Sequence, residues 1–221
     1  YLNPGNFSFR GSLRSKIYVD KSELIAKTNE ALCTEQRYIC VSRPRRFGKS
    51  MAANMLAAYY DRSENIEELF RNLAISKDSS YKENLNQYDV IKINMQEFLS
   101  MSGTMEEMLE MLKKYLVLDF EETYPQVRFR DEKNLIQVMK DVFSYTKCPF
   151  VILIDEWDCL FREYQQDQEA QKKYLDFLRA WLKDKDYVAL AYMTGILPIK
   201  KYGSHSALNM FTEYSMTDPG E

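Results

Sequence analysis

The segment that decides the fold is Arg43-Pro44-Arg45-Arg46-Phe47-Gly48-Lys49-Ser50. It matches the G-x-x-x-x-G-K-[ST] pattern of phosphate-binding loops, except that Arg43 stands where the first glycine belongs. In such a loop, successive backbone N–H groups and the start of the next helix face the anion. The lysine reaches the β- and γ-phosphates, and the hydroxyl binds Mg²⁺. The segment therefore predicts a nucleotide phosphate site centred on Lys49 and Ser50.

The flanking residues give this segment the context that such a loop needs. Residues 38–41 (Tyr-Ile-Cys-Val) form a short apolar run that stops at polar residues, as a buried parallel strand does before a loop. From Lys49 to Tyr60, apolar residues recur at helical spacing. The predicted order is thus strand, loop, helix.

The rest of the chain alternates between strand and helix patterns. Strands are predicted near 89–94, 149–154, 187–193 and 211–216, and helices near 21–34, 131–145 and 167–184. Such alternation implies right-handed crossovers and a mainly parallel sheet with helices on both faces. We therefore expect an α/β fold in one domain, with ligands bound at the carboxyl ends of the strands.

A methionine-rich stripe runs through residues 101–116, where methionines and leucines recur at steps of three and four. This spacing predicts one amphipathic helix. Core packing is its simplest interpretation, and an adaptable surface for a partner is the alternative.

A second motif, Val151-Ile152-Leu153-Ile154-Asp155-Glu156, places two carboxylates after four apolar residues. A strand would deliver Asp155 to the edge of the sheet, where it can hold Mg²⁺, and Glu156 could take a proton from an attacking water. The pattern is that of a Walker B motif. A strand that simply precedes an acidic helix start is the alternative.

A third element, Thr194, follows the predicted strand at 187–193 and precedes Gly195. In an ATPase of this layout a polar side chain here can orient water against the γ-phosphate. The alternative is a threonine that caps a turn.

The composition limits the classes of protein and site. The fraction of hydrophobic residues, 45%, is that of an ordinary globular protein. The net charge is -3, so no attraction of the whole surface for nucleic acid is expected. No apolar run is long enough for a membrane span and no signal segment opens the chain, so we expect a cytoplasmic protein without membrane contact. The four cysteines form no C-x-x-C pair and predict reduced core residues.

Two further patterns argue against a histidine-based metal site and against a nuclease. His205 is the only histidine, which excludes a histidine-based metal site, and we interpret it as a residue of a polar loop. The tripeptide Asp131-Glu132-Lys133 matches the (D/E)-x-K element of nucleases but falls at a predicted helix start, where acidic residues are favoured. We therefore expect no nuclease within this chain.

Four segments together resemble the bacterial AAA-ATPase-like domain: Tyr18 to Ser22, Arg43 to Ser50, Ile154 to Asp158 and Thr194 to Gly203. The resemblance runs from about residue 5 to the end. It implies a three-layer P-loop NTPase fold with five strands in the order 5-1-4-3-2, ATP and Mg²⁺ as ligands, and a position near the adenine for Tyr18 to Lys21. Members often carry a C-terminal PD-(D/E)XK nuclease-like region.

These observations predict a Mg²⁺-dependent ATPase module. Ser50 and Asp155 would hold the metal, and Glu156, Lys49 and Thr194 would serve catalysis. The nucleotide would contact Arg43, Pro44, Arg45, Arg46, Phe47, Gly48, Lys49, Ser50, Met51, Tyr18 and Asp20.

The role of the loop arginines is left open by the sequence. Any of Arg43, Arg45 and Arg46 could clamp phosphate, act as a finger towards a neighbouring subunit, or be a solvated loop charge. The rival function is a nucleotide-sensing switch with little turnover. A small-molecule kinase is a third hypothesis, for which no acceptor pocket or lid is evident in the sequence.

The ends of the chain, Tyr1 and Pro219-Gly220-Glu221, predict a piece of a longer protein. We expect one domain over residues 1–221 that stops before a C-terminal lid and an effector domain, with weak turnover in this piece alone. Homo-oligomers are possible partners, and nucleic acid would be contacted only through the effector.

Overall fold

The computed structural model describes residues 1–202 and 207–215. His205 and the last residue of the predicted strand 211–216 lie outside the described residues. The strands within the described ranges are β1 Tyr38–Ser42, β2 Asp89–Asn94, β3 Phe150–Asp155, β4 Val188–Gly195 and β5 Thr212–Tyr214.

Eleven α-helices and one 3-10 helix, Ala74–Lys77, accompany the strands in the described part of the chain. The α-helices are α1 Phe7–Leu13, α2 Glu23–Ala31, α3 Lys49–Tyr60, α4 Glu67–Phe70, α5 Tyr81–Asn84, α6 Met95–Ser100, α7 Met105–Thr123, α8 Leu135–Thr146, α9 Cys159–Glu163, α10 Gln168–Leu182 and α11 Ile199–Tyr202.

The five strands form one sheet in the order β2-β3-β4-β1-β5, and all neighbouring pairs are parallel. Read from the other edge, this is the predicted order 5-1-4-3-2. The three-layer P-loop NTPase fold is therefore confirmed. Because every strand runs in the same direction, the residues that end β1, β3 and β4 meet at one edge of the sheet.

Alternation along the strands divides the core into two layers. On β3, Ile152 and Ile154 pack with α6 to α10, whereas Val151 and Leu153 pack with α1 to α5. All residues of β3 and β4 are buried, as expected for central strands covered on both faces. No helix in the described ranges is long and apolar enough to span a bilayer.

The methionine stripe belongs to two helices, so the expectation of a single helix over 101–116 is wrong at its start. Met101 caps the end of α6 and is half exposed, and α7 begins at Met105. The Thr104 hydroxyl accepts a hydrogen bond from the Glu107 amide at 3.1 Å, which fixes the new helix start. From Met105 onwards the stripe is mostly buried, which favours core packing over a partner surface.

The cysteines are less uniform than predicted. Cys40 and Cys159 are buried, and burial raises the pKa of the Cys159 thiol to about 12. Cys33 is exposed in the turn after α2 and Cys148 is only partly buried, so the prediction that all four are core residues is wrong for these two. The tripeptide at 131–133 lies in a turn before the helix cap Asn134 rather than on a strand. The helix predicted from residue 131 begins at Leu135 instead, so the expectation that the tripeptide forms the helix start is wrong.

Strand β3 provides a test of the packing. Ile152→Ala should lower the free energy of unfolding by about 2 to 5 kcal/mol, because Ile152 is fully buried and truncation leaves a cavity. Ile17→Ala makes the same chemical change at a side chain that is 85% exposed, and it should change stability by less than about 0.5 kcal/mol. Urea unfolding followed by circular dichroism measures both. Equal effects would contradict the assigned core.

Candidate nucleotide site

Asp155, at the end of β3, joins the motifs that the sequence singled out. One carboxylate oxygen accepts a hydrogen bond from the Ser50 hydroxyl at 2.5 Å. The other accepts from the Thr194 hydroxyl at 2.5 Å and from the backbone N–H of Glu156 at 3.0 Å. Asp155 is buried, so these bonds compensate a carboxylate that has lost most of its water. The predicted metal ligands thus converge at one point.

The pairing of Ser50 with Asp155 fits the donor set of Mg²⁺. This ion prefers oxygen ligands and is usually bound by one or two carboxylates together with substrate phosphates and water. Among the described residues, no three of His, Cys, Asp and Glu come together as an all-protein metal site. One hydroxyl and one carboxylate could hold such an ion together with phosphate oxygens and water.

The loop 43–50 is bent by two residues in the left-handed backbone region. Gly48, with φ +77°, caps the start of α3, and Arg46 has φ +68°. A Cβ on Gly48 would lie 3.0 Å from Nζ of Lys21, which donates a hydrogen bond to the carbonyl of Phe47. Only glycine fits this position without strain. The free N–H groups at the start of α3 are those that bind anions in such loops.

Arg43 replaces the first loop glycine without backbone strain. Its φ is not positive, and its N–H donates to the carbonyl of Gly195 at 3.0 Å, which ties the start of the loop to the end of β4. The departure from the general pattern therefore needs no special backbone conformation.

Lys49 begins α3, and its side chain reaches back to the start of the loop. Its ammonium donates to the carbonyls of Arg43 and Pro44, each at 2.7 Å. Burial lowers the pKa of Lys49, while the carboxylates of Glu156, Asp155 and Asp158 oppose that shift. The ammonium is thus placed between the loop and the acidic ends of the sheet.

Glu156 points away from Asp155. With φ +55° its backbone turns sharply after β3, and its side chain forms an ion pair with Arg162 of α9. Its side chain is 26% exposed, so Glu156 faces solvent where Asp155 does not. The two carboxylates therefore lie in different surroundings.

Two clefts flank the loop and share Gly48 and Lys49. The first, of about 700 Å³, is lined by Arg45, Arg46, Gly48, Lys49, Ser50, Met51, Asn94, Gln96, Glu156, Arg162 and Glu163. The second, of about 600 Å³, lies between α2, α3 and the sheet. Arg43 and Phe47 line it together with apolar side chains such as Leu24, Ile39 and Tyr214. The loop arginines thus divide between the clefts, with Arg43 in the second and Arg45 and Arg46 in the first.

Tyr18 and Asp20 line neither cleft. The Asp20 carboxylate accepts hydrogen bonds from the amides of Ser22 and Ala74, both at 2.8 Å. Burial alone would raise the pKa of Asp20, but the hydrogen bonds from Ser22 and Ala74 outweigh it and lower the pKa. Of the segment at 18–21, Lys21 is the residue that contacts the loop and lines the second cleft.

A comparison with family profiles matches residues 9–204 to the AAA-ATPase-like family, described as "Predicted AAA-ATPase". This match covers most of the chain. The chain belongs to the predicted AAA-ATPase family. A search of curated proteins finds no match.

Among solved structures, the predicted AAA-ATPase chain is similar to "Structure of C. elegans PCH-2", with 15% sequence identity and a TM-score of 0.41. The similarity covers 95% of this chain and 46% of that chain. The chain therefore spans about half the length of that structure.

Arg162, which belongs to none of the predicted motifs, lies beside the predicted catalytic glutamate. Arg162 contacts Glu156 and lies 3.5 Å from Asp158. The spacing of Asp158 and Arg162, four residues apart at a helix start, was a signal for an ion pair. The contact with Glu156 depends on the left-handed turn at Glu156, which the sequence does not reveal.

Gly195 ends β4 and packs against the turn that follows β3. A Cβ at this position would lie 2.7 Å from Nε1 of Trp157 and 2.8 Å from Oδ1 of Asp158. The second oxygen of Asp158 accepts hydrogen bonds from the amides of Ile196 and Leu197, at 2.9 and 2.7 Å. Gly195 therefore permits the turn after β3 and the loop after β4 to pack together.

Gly195→Ala should destabilise the predicted AAA-ATPase domain by about 1 to 3 kcal/mol, because the added methyl group overlaps Trp157 and Asp158. Gly11→Ala is the matched control, since Gly11 lies in α1 and a Cβ there meets nothing within 4 Å. The control should leave stability unchanged or raise it by up to about 1 kcal/mol. Thermal unfolding of both variants measures the difference, and an undiminished melting temperature for Gly195→Ala would refute the close packing.

Proposed function

We propose that this chain binds ATP together with Mg²⁺ at the loop 43–50 and hydrolyses it. The observation that carries the proposal is the convergence of Ser50 and Thr194 on Asp155, next to a lysine in a loop that opens a helix. Membership of the predicted AAA-ATPase family supports the same activity.

The roles of the residues follow from their positions. Lys49 and the free amides at the start of α3 would hold the phosphates, while Ser50 and Asp155 would hold the metal. Glu156, which faces the first cleft, would accept a proton from the attacking water. Bound Mg²⁺ would neutralise phosphate charge, as it does in other enzymes of this chemistry.

The hydroxyl of Thr194 is not free to orient a water molecule. Its hydroxyl is buried and donates to Asp155. We assign it the task of fixing the direction of the Asp155 carboxylate, through which it would affect metal binding and turnover. Arg45 and Arg46 are exposed in the first cleft, where they would contact phosphate or a neighbouring subunit.

In a longer protein, ATP turnover by this module would drive or gate an attached effector domain. The rival function, a nucleotide-sensing switch with little turnover, shares the binding site and differs in the role of Glu156. The two experiments below therefore test binding and hydrolysis separately.

Lys49→Ala should weaken ATP binding by about 2 to 4 kcal/mol, because it removes a charge that would pair with the β- and γ-phosphates. Isothermal titration calorimetry with MgATP measures the change. Lys16→Ala, which removes an exposed lysine that lines neither cleft, is the control and should bind as the wild type does. Equal affinity of Lys49→Ala and wild type would contradict the proposed site.

Glu156→Gln should lower turnover about 10²- to 10⁴-fold without weakening ATP binding, because the amide keeps the size of the side chain but cannot accept a proton. Phosphate release under saturating MgATP gives the rate. Glu122→Gln alters an exposed carboxylate of α7 and should not change it. If Glu156→Gln turns over as fast as wild type, Glu156 is not the base. Binding without turnover in the wild type would favour the sensing switch.

A further inference from the structure

Arg162 connects the proposed catalytic glutamate to the core of the domain. Its Nη2 donates to Oε2 of Glu156 and lies 3.5 Å from Oδ1 of Asp158. Asp158 is completely buried, and the Arg162 side chain is only 18% exposed. The guanidinium is therefore held in the wall of the first cleft between two carboxylates.

The hydrogen bonding of this cluster is incomplete. Nε of Arg162 and Oδ1 of Asp158 are both buried, and neither has a hydrogen-bond partner among the described residues. A buried polar group without a partner costs free energy. Arg162 thus keeps an unused donor while it is paired with Glu156.

The same guanidinium belongs to the phosphate side of the loop. Arg162 lines the first cleft together with Lys49 and Ser50. Its charge also acts on Lys49, where it adds to the lowering of the pKa by burial. A phosphate bound beside Lys49 would therefore lie within the electrostatic reach of Arg162, whose planar fork of donors suits phosphate oxygens.

We propose that Arg162 exchanges partners, leaving Glu156 for the terminal phosphate when a nucleoside triphosphate binds. In the structure the ion pair occupies the carboxylate oxygen that would otherwise meet water. With a triphosphate present, Glu156 is released to act as the base. This inference rests on the proposed function, and it makes the third phosphate the signal that activates the glutamate.

The exchange predicts a difference between triphosphate and diphosphate. A ligand shifts the equilibrium between the paired and the released state of Arg162 only to the extent that it binds one state more tightly than the other. A diphosphate lacks the terminal group and leaves the pair of Arg162 and Glu156 intact. Arg162 should therefore contribute to the affinity for a triphosphate and contribute little to that for ADP.

Calorimetry with a non-hydrolysable ATP analogue and with ADP, both with Mg²⁺, tests this prediction without reference to turnover. Arg162→Ala should weaken binding of the analogue about tenfold and change ADP binding less than twofold. Arg162→Gln, which keeps more of the side chain, should behave similarly, and circular dichroism checks that both variants fold. Arg128→Ala removes an exposed arginine outside both clefts and is the control.

A double-mutant cycle with Glu156→Gln decides whether the pair breaks. If Arg162 leaves Glu156, this substitution removes both a competing partner and a charge that repels phosphate. It should then tighten analogue binding more in the wild-type background than in the Arg162→Ala background. If the pair persists, Arg162 screens the repulsion, and the tightening should be larger in the Arg162→Ala background.

The outcomes separate the two proposals. Larger tightening in the Arg162→Ala background, or equal loss of analogue and ADP binding by Arg162→Ala, would overturn the exchange while the nucleotide site stands. Unaltered analogue binding by Lys49→Ala would instead contradict the proposed function itself.

Discussion

The carboxylate of Asp155 is the constraint on which the site depends. It ends a strand whose residues are all buried, so its two oxygens must find partners within the protein. Ser50 brings the start of α3 to it, and Thr194 brings the end of β4. Helix α3 and strands β3 and β4 are therefore fixed to one another by hydrogen bonds to a single side chain.

Glu156, the residue after Asp155, shows how a turn of the backbone changes the surroundings of a side chain. Asp155 continues the strand and stays buried, whereas the left-handed conformation of Glu156 directs its side chain into a cleft. Two adjacent acids of nearly equal intrinsic acidity thus receive different surroundings. In the proposed function, this backbone geometry would separate metal binding from proton transfer.

Much of the fold could be predicted from the sequence because the strands are apolar runs and α3 has helical spacing. The bounds of β2 and α3 agree with the predicted 89–94 and 49–60. The break between Met101 and Met105 could not be seen in the apolar periodicity, since the spacing continues across it. It depends on the Thr104 cap.

The residues of the candidate site could be predicted where a continuous segment of the chain carries them. They could not be predicted where they meet only through tertiary contacts. The loop 43–50 and Asp155 are recognisable because a strand end or helix start carries them. Arg162 reaches Glu156 only through the turn that follows β3, and Asp20 turns to the amide of Ala74, far along the chain. Side-chain partners of this kind follow from packing, which a single sequence does not display.

The hydrogen bonds of Lys49 to the carbonyls of Arg43 and Pro44 have a consequence for the speed of recognition. The ammonium group of Lys49 holds the loop in one conformation through these two hydrogen bonds. The conformational entropy of the loop is therefore lost when the chain folds and not when a ligand binds. If the loop binds a polyphosphate as proposed, that ligand would have only to take the place of two carbonyl oxygens around a cation that is already in position. The rate of binding would then be set by diffusion and charge, and the lifetime of the complex by how readily the carbonyls bind the lysine again.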